Sequence, residues 1–147
     1  MTIKKWHRLI VGFGMSALCA LFGCQRKPAD SALGSKGIYK NISARDAHEL
    51  IDSHRVNSEL LILDVRTPSE FQSGHIDGAI NLNCNSSDLQ AKLSNLDSTK
   101  IYCVYCALGT RSNRVMKIMK SMKFETVYNI KGGIHAWNSA GYNTVTP

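Results

Sequence analysis

The run Leu60–Val65, which reads LLILDV, limits the possible folds more than any other segment of the chain. Five of its six residues are aliphatic, and the run is too short for a typical helix. It therefore predicts a strand that is buried on both faces, as the strands of parallel sheets are. Helices must then cover both faces of the sheet, so the run predicts an α/β domain.

Further strands and helices alternate along residues 38–147. Strands are predicted at 79–82, 100–106 and 126–130, and helices are predicted after Ser43, at Pro68, through Leu89, Leu93 and Leu96, from about Ser112, and at 134–140. This order predicts a mainly parallel sheet in a single domain. Active sites in such sheets lie at the carboxyl ends of the strands.

The first twenty-three residues have the order of a secretory signal. Three basic residues precede an apolar run at 9–22, which is shorter than the ~20 residues that a membrane-spanning helix needs. The run ends in Leu21-Phe22-Gly23-Cys24, which resembles a bacterial lipobox although Phe22 departs from the usual residue. The resemblance implies that the signal 1–23 is cleaved off after Gly23 and that Cys24 is lipidated. An ordinary signal with a nearby cleavage site is the alternative.

These features predict export to the bacterial periplasm and a lipid anchor in the membrane. Gln25 follows the cysteine, which leaves delivery to the outer membrane open. Residues 24–37 contain proline, glycine and serine with few large apolar side chains, so they are predicted to form a flexible tether. The folded domain is then expected to cover 38–147.

The basic charge of the chain does not indicate a nucleic-acid-binding protein. The formal net charge is +7, but three of the eighteen Lys and Arg residues and none of the eleven acids lie in residues 1–23, which leaves 15 − 11 = +4. The remaining basic residues are scattered, and those between Arg111 and Lys123 recur about every third residue. That spacing is typical of a solvated helix face.

Cys106 is the residue that most clearly predicts chemistry. It ends a predicted strand and opens the segment CALGTR, which leads into a helix. Unpaired N–H groups and the dipole at a helix N-terminus favour an anion, and a thiolate is such an anion. With Arg111 nearby as a permanent cation, the pKa of the thiol is expected to fall below its usual range. Cys106 is therefore predicted to be a nucleophile.

Three segments of the chain resemble the rhodanese domain. They are LDVRTPSEFQSGHIDGAINL at 63–82, YCALGTRS at 105–112 and VYNIKGGIHAW at 127–137, and they occur in the order of the family. The resemblance covers nearly all of residues 38–142. It implies a single rhodanese-like domain with a five-stranded parallel sheet flanked by helices on both faces.

The same resemblance implies a sulfurtransferase in which Cys106 accepts a sulfane sulfur as a persulfide. The loop that would cradle the sulfur consists of Ala107, Leu108, Gly109, Thr110 and Arg111. The implied donor is thiosulfate or a related small sulfur-containing anion, and the implied acceptor is a thiol or cyanide. No cofactor is implied. Neither the physiological partners nor the oligomeric state follows from any motif.

The length of the loop distinguishes two related activities. Only four residues separate Cys106 from Arg111, whereas related phosphatases and arsenate reductases have one residue more. The shorter loop makes a tighter ring of N–H donors, which suits a persulfide sulfur better than a tetrahedral oxyanion. Sulfur transfer is therefore favoured over phosphate-ester hydrolysis, and Tyr105 stands where those enzymes have histidine.

Several conspicuous residues are predicted to be structural. Asp64 and Arg66 follow the first aliphatic strand, where a buried ion pair or a turn cap is expected. His75 is expected to be a hydrogen-bonded structural residue, because an ionised thiol needs no general base. Trp137 is expected to anchor the last helix by packing.

The other cysteines offer weaker alternatives. Cys103 and Cys106 form the sequence CVYC. Because residues three positions apart in a strand have side chains on opposite faces of the sheet, Cys103 is predicted to be buried core. Cys84 is better placed than Cys103 to be a resolving thiol, which would form a disulfide with Cys106. A free cysteine without that role is nevertheless favoured. No Cys/His spacing indicates a zinc site. The alternative functions are a non-catalytic persulfide carrier or binding module, and a periplasmic thiol redox protein.

Overall fold

The computed structural model of the protein describes residues 36–56 and 58–147. The predicted signal segment 1–23, the predicted lipidation site Cys24 and residues 25–35 of the predicted tether lie outside the described residues. None of the helices in the described residues combines the length and the hydrophobicity that a bilayer crossing requires.

Strands and helices alternate along the described residues. The strands are β1 (Ile38–Ile42), β2 (Leu60–Asp64), β3 (Ala79–Asn81), β4 (Ile101–Tyr105) and β5 (Thr126–Ile130). The helices are α1 (Ala44–Ser53), α2 (Pro68–Gln72), α3 (Leu89–Ser94), α4 (Thr110–Ser121) and α5 (Gly133–Ser139). Each of the four strands predicted from the hydrophobic pattern is present, with its ends within one residue of the prediction.

All five strands form one parallel sheet in the order β1-β5-β4-β2-β3. The five-stranded parallel sheet that the resemblance implied is therefore confirmed. The strand β4 lies in the middle, so the residue after Tyr105 is central at the carboxyl edge. The sheet thereby places Cys106 between the loops that follow β2 and β5.

The strand β1 had no signal in the hydrophobic pattern. It reads IYKNI, is largely exposed, and, within residues 36–56 and 58–147, pairs with β5 alone. An edge strand has one neighbour and is partly solvated, so it carries polar residues that interrupt an aliphatic run. The family resemblance, rather than the pattern, accounted for the fifth strand.

Helices cover both faces of the sheet, as predicted. One core layer joins α3 and α4 to the sheet through residues such as Leu93 and Met119, and it includes Cys106. The other layer joins α1 and α5 through residues such as Ala47 and Trp137, and it includes Cys103. The two cysteines of CVYC therefore lie on opposite faces of the sheet, which confirms the prediction from strand geometry.

Two helix bounds differ from the prediction. Helix α4 begins at Thr110 rather than near Ser112, because Gly109 adopts a left-handed conformation with φ of 88° and turns the chain directly into the helix. Helix α3 ends at Ser94, so Leu96 lies beyond it while still packing against the same core. At α1 the predicted N-cap Ser43 is present, and it forms a capping box with Asp46.

Candidate active site

Cys106 is the first residue of a short loop that closes around its sulfur. The backbone N–H of Gly109 donates a hydrogen bond to Cys106 Sγ at 3.1 Å, and Ser112 Oγ donates a second at 3.5 Å. Ser112 is completely buried on the first turn of α4, so its hydroxyl faces the loop interior. The chain thus directs donors at one sulfur atom from both the loop and the helix.

These donors decide the ionisation of the thiol. Burial by itself opposes the thiolate, but the hydroxyl of Ser112 and the backbone N–H groups of Ser112, Leu108 and Gly109 outweigh it. The pKa of the Cys106 thiol is consequently below its ordinary value. Among the described residues no group donates a hydrogen bond to the Cys103 sulfur, and burial raises its pKa to about 12. Of these two thiols, Cys106 is the one whose surroundings favour the nucleophilic thiolate.

The predicted cradle residues all lie in the loop but differ in exposure. Ala107 is half-buried, Gly109 is buried, and Thr110 is exposed. Leu108 is an exposed apolar side chain, 64% accessible. The side chains of the loop are uncharged before Arg111, so its attraction for an anion comes from backbone N–H groups.

The guanidinium of Arg111 is bound by a carboxylate from helix α2. Its Nη1 and Nη2 donate to the two carboxylate oxygens of Glu70 at 2.9 and 2.6 Å. The hydrogen bond from Arg111 holds the pKa of Glu70 at about 2, despite partial burial, and bonds from Thr67 add to this effect. Arg111 was predicted as the cation beside the thiol, but much of its charge is offset by Glu70.

Glu70 was not singled out by the sequence analysis. A signal for it existed, because TPSE at 67–70 has the pattern of a capping box. The structure contains that box: the Thr67 N–H donates to Glu70 at 3.0 Å, and the Thr67 hydroxyl accepts from the Glu70 N–H at 3.3 Å. The capping box orients the Glu70 carboxylate so that the guanidinium of Arg111 can donate to it.

The Gly132-Gly133 turn, which follows the neighbouring strand β5, leads to backbone N–H groups that hydrogen-bond to the cysteine loop. The N–H of Ile134 donates to the carbonyl of Cys106 at 2.9 Å, and the N–H of His135 donates to that of Ala107 at 3.2 Å. A Cβ at Gly133 would collide with the Cys106 carbonyl oxygen and would lie 2.6 Å from the carbonyl carbon of Ala107. The turn therefore requires glycine so that it can approach the loop.

The residues predicted to be structural have structural contacts. Arg66 and Asp64 form a buried ion pair at 2.6 Å, and Arg66 also donates to the carbonyl of Gly74. His75 stacks on Phe71, with ring centroids 3.7 Å apart. The contacts of Arg66 join the end of β2 to the turn before β3. The packing role predicted for Trp137 agrees with its exposure of only 4%.

Cys84, the candidate resolving thiol, is a free cysteine in this structure. It is buried in the same core layer as Cys106, and Arg114 Nη2 lies 3.8 Å from its sulfur. Within the described residues, no three His, Cys, Asp or Glu side chains are grouped so that they could hold a metal ion.

Comparison with known proteins agrees with this architecture. A family model described as Rhodanese-like domain matches residues 43–140. The chain is 29% identical over 102 residues to the thiosulfate sulfurtransferase GlpE of Shewanella oneidensis, and the match covers 69% of this chain and 95% of that protein. It is 32% identical over 108 residues, 74% of its length, to the probable adenylyltransferase/sulfurtransferase MoeZ of Mycobacterium tuberculosis, but spans only 26% of MoeZ.

Solved structures show the same fold. The crystal structure of a rhodanese-related protein from Thermoplasma volcanium has a TM-score of 0.64 and 33% identity, with 74% of this chain and 100% of that chain covered. The solution structure of the rhodanese-like domain of the Anabaena protein Alr3790 has a TM-score of 0.63 and 28% identity, covering 73% and 79% of the two chains. Its sequence and its fold together establish that the chain belongs to the family of rhodanese-like domains.

Proposed function

We propose that the protein is a sulfurtransferase that carries a sulfane sulfur on Cys106 as a persulfide. The observation that carries this proposal is the sulfur of Cys106 surrounded by N–H and O–H donors in a six-position loop. Such donors stabilise the thiolate that attacks the donor molecule, and they also stabilise the negative persulfide that results. The sulfurtransferases among its relatives support the same activity.

The reaction takes place in two displacements. The Cys106 thiolate attacks the outer sulfur of thiosulfate, the bond between the two sulfurs of thiosulfate breaks, and sulfite leaves with the electron pair. A thiolate or cyanide then attacks the outer sulfur of the persulfide. The bond to Cys106 Sγ breaks, its electron pair returns to Cys106, and the acceptor leaves carrying the sulfur. No net oxidation or reduction occurs.

The test is sulfite release from thiosulfate by the reduced full-length protein, with intact mass measured before and after cyanide is added. We expect a mass gain of one sulfur atom that cyanide removes. Cys106→Ser should abolish both signals while the circular dichroism spectrum stays unchanged. Persulfide formation on the Ser variant would refute the assignment of Cys106.

A persulfide carrier with little thiosulfate turnover is the second candidate. One observation favours it: Arg111 is bound by Glu70, and the rest of the loop offers no charged side chain to a dianionic donor. The two candidates differ in their donors. A carrier would gain sulfur from inorganic polysulfide, a reactive persulfide source, but would release no sulfite from thiosulfate.

We also propose that the protein is exported and attached to the periplasmic side of a membrane through lipid on Cys24. The basic residues and apolar run of 1–23 and the lipobox-like LFGC support this proposal. Full-length protein expressed in a Gram-negative host should enter the detergent phase on partitioning, whereas Cys24→Ala should stay in the aqueous phase. Aqueous partitioning of both proteins would favour simple release into the periplasm.

A further inference from the structure

A groove of about 420 Å³ lies at the edge of the sheet opposite the cysteine loop. Tyr39, near the start of β1, and Phe124, just before β5, line it. Helix α4 starts at the cysteine loop, and Lys120 in its last turn lines the groove. The twelve residues of α4 span about 18 Å. The groove and the reactive sulfur therefore lie at opposite ends of this helix.

The groove is positively charged. Three exposed lysines line it, namely Lys36, Lys120 and Lys123. No carboxylate of the described residues lies within 4.0 Å of their ammonium groups. Glu125 contributes the one acidic side chain among the residues that line the groove, so three cations and one anion leave a net charge of +2. The groove therefore attracts anions.

Two of the lysines are positioned by the aromatic residues of the groove. Lys120 Nζ lies 5.3 Å from the centre of the Tyr39 ring, within the range of a cation–π contact. The Tyr39 hydroxyl donates to the carbonyl of Phe124, which holds the ring in place. Lys123 directly precedes Phe124 and has a φ of 64°, a left-handed conformation in which glycine is more usual. The fold thus presents both cations beside one aromatic surface.

The position of the groove in the chain indicates which anion it meets. Lys36, where the described domain begins, is twelve positions after the proposed lipidation site Cys24. Residues 25–35 contain two basic residues and one acid, so this segment does not complement the groove. A second copy of the chain is disfavoured as well, because the net charge of +4 beyond residue 23 makes copies repel one another. A lipid on Cys24 would bring an anionic membrane surface to the groove.

We infer that the groove docks on anionic phospholipid headgroups of the membrane that holds the lipid on Cys24. Lys36, Lys120 and Lys123 face the phosphates, and each lysine strengthens the attraction roughly fivefold. This inference rests on the proposed lipid anchor and adds a second attachment to it. The docked domain presents Cys106 away from the bilayer, because the cysteine loop is at the far end of α4. Sulfur donors and acceptors then reach the thiol from the aqueous side.

Lysine acetylation on vesicles tests this orientation. Mature lipidated protein from a Gram-negative host is inserted into the outer leaflet of preformed vesicles, made of phosphatidylcholine alone or of phosphatidylcholine and phosphatidylglycerol in equal parts. A water-soluble acetylating ester is added, and peptide mass spectrometry gives the rate at each lysine. We expect Lys36, Lys120 and Lys123 to react about tenfold more slowly on the anionic vesicles. Lys92 on α3 and Lys131 after β5 should react equally on both. Equal rates at the groove lysines, or the same slowing at all five, would overturn the inference.

Charge variants supply the second readout, with Lys36 as the reporter. Lys120→Gln/Lys123→Gln removes two of the three cations, so the slowing of Lys36 acetylation should fall from about tenfold to less than about twofold. Lys92→Gln/Lys131→Gln removes the same charge away from the groove and should keep the tenfold slowing. High salt should abolish the slowing in the unmodified protein, because it screens exposed charges. Undiminished slowing in Lys120→Gln/Lys123→Gln would refute the groove as the docking surface.

The anchor and the groove fail separately. If the protein enters the detergent phase but its groove lysines react equally on both kinds of vesicle, the anchor is supported and the docking surface is refuted. If the protein stays in the aqueous phase, the anchor is refuted, and this soluble protein is sedimented with the same vesicles. Sedimentation with the anionic vesicles that is lost in Lys120→Gln/Lys123→Gln would support the docking surface, and any other result would refute it.

Discussion

Arg111 and Glu70 form a two-pronged ion pair, with Nη1 and Nη2 of the guanidinium at 2.9 and 2.6 Å from the carboxylate oxygens. They are 41 positions apart in sequence. The pair joins the last residue of the cysteine loop to helix α2. Arg111 therefore stabilises the position of the loop through this ion pair, in addition to supplying positive charge near the thiol.

Glu70→Gln should lower the free energy of unfolding at neutral pH by about 1 kcal/mol, because it removes the charge-assisted hydrogen bonds with Arg111. The loss is no larger because the Glu70 side chain is 35% exposed and water screens the pair. The folded-state pKa of Glu70 is about 2, below its ordinary 4.5. The stabilisation is then fully present above pH 4.5 and is lost as the pH falls toward 2. Urea unfolding at pH 7 and at pH 3 measures the change.

The control for this prediction is Glu49→Gln, which breaks the exposed pair of Glu49 with Arg45. Such surface pairs contribute little, so the loss should be clearly smaller than that of Glu70→Gln. A cost of Glu70→Gln that is the same at pH 7 and pH 3 would contradict the role of the charged pair.

Ser112→Ala should raise the pKa of Cys106, because it removes the hydroxyl that donates to the thiolate. The pH dependence of alkylation by iodoacetamide measures the shift. Ser121→Ala, at the exposed far end of the same helix, should leave the profile unchanged. An identical profile for both variants would show that the backbone N–H groups suffice to hold the thiolate.

Gly133→Ala should destabilise the protein by about 3 kcal/mol, because the new methyl meets the carbonyls of Cys106 and Ala107 at a φ of 57°. Gly78→Ala is the matched control, with φ of 76° but no heavy atom within 4 Å of the new Cβ. Backbone strain alone should cost it about 1 to 2 kcal/mol. Thermal unfolding compares the two, and equal losses would mean that close approach to the loop is unimportant.

Native protein should be alkylated at Cys106 and not at Cys103 at neutral pH, as peptide mapping after iodoacetamide treatment would show. Burial raises the pKa of Cys103 to about 12, whereas the donors around Cys106 lower its pKa. Cys103→Ala should keep the Cys106 chemistry and lose about 1 kcal/mol of stability. A disulfide between these two cysteines after mild oxidation would instead support a thiol redox protein.

Much of the fold could be predicted because its signals are local. LLILDV predicted β2 from composition alone, and KIYCVYC predicted β4 ending beside Cys106. The edge strand β1 gave no such signal, because its polar residues face water. The start of α4 was predicted two residues late, since the pattern could not show that Gly109 would already cap the helix.

The sequence by itself determined the parallel sheet and the thiol at its carboxyl edge, because strand burial and side-chain alternation act over a few residues. Only the tertiary structure decided what surrounds that thiol. Glu70 meets Arg111, Gly133 meets Cys106, and Asn129 meets Gly109 across strands that the sheet order brings together. Such contacts depend on which strands are neighbours, and no short stretch of sequence encodes that.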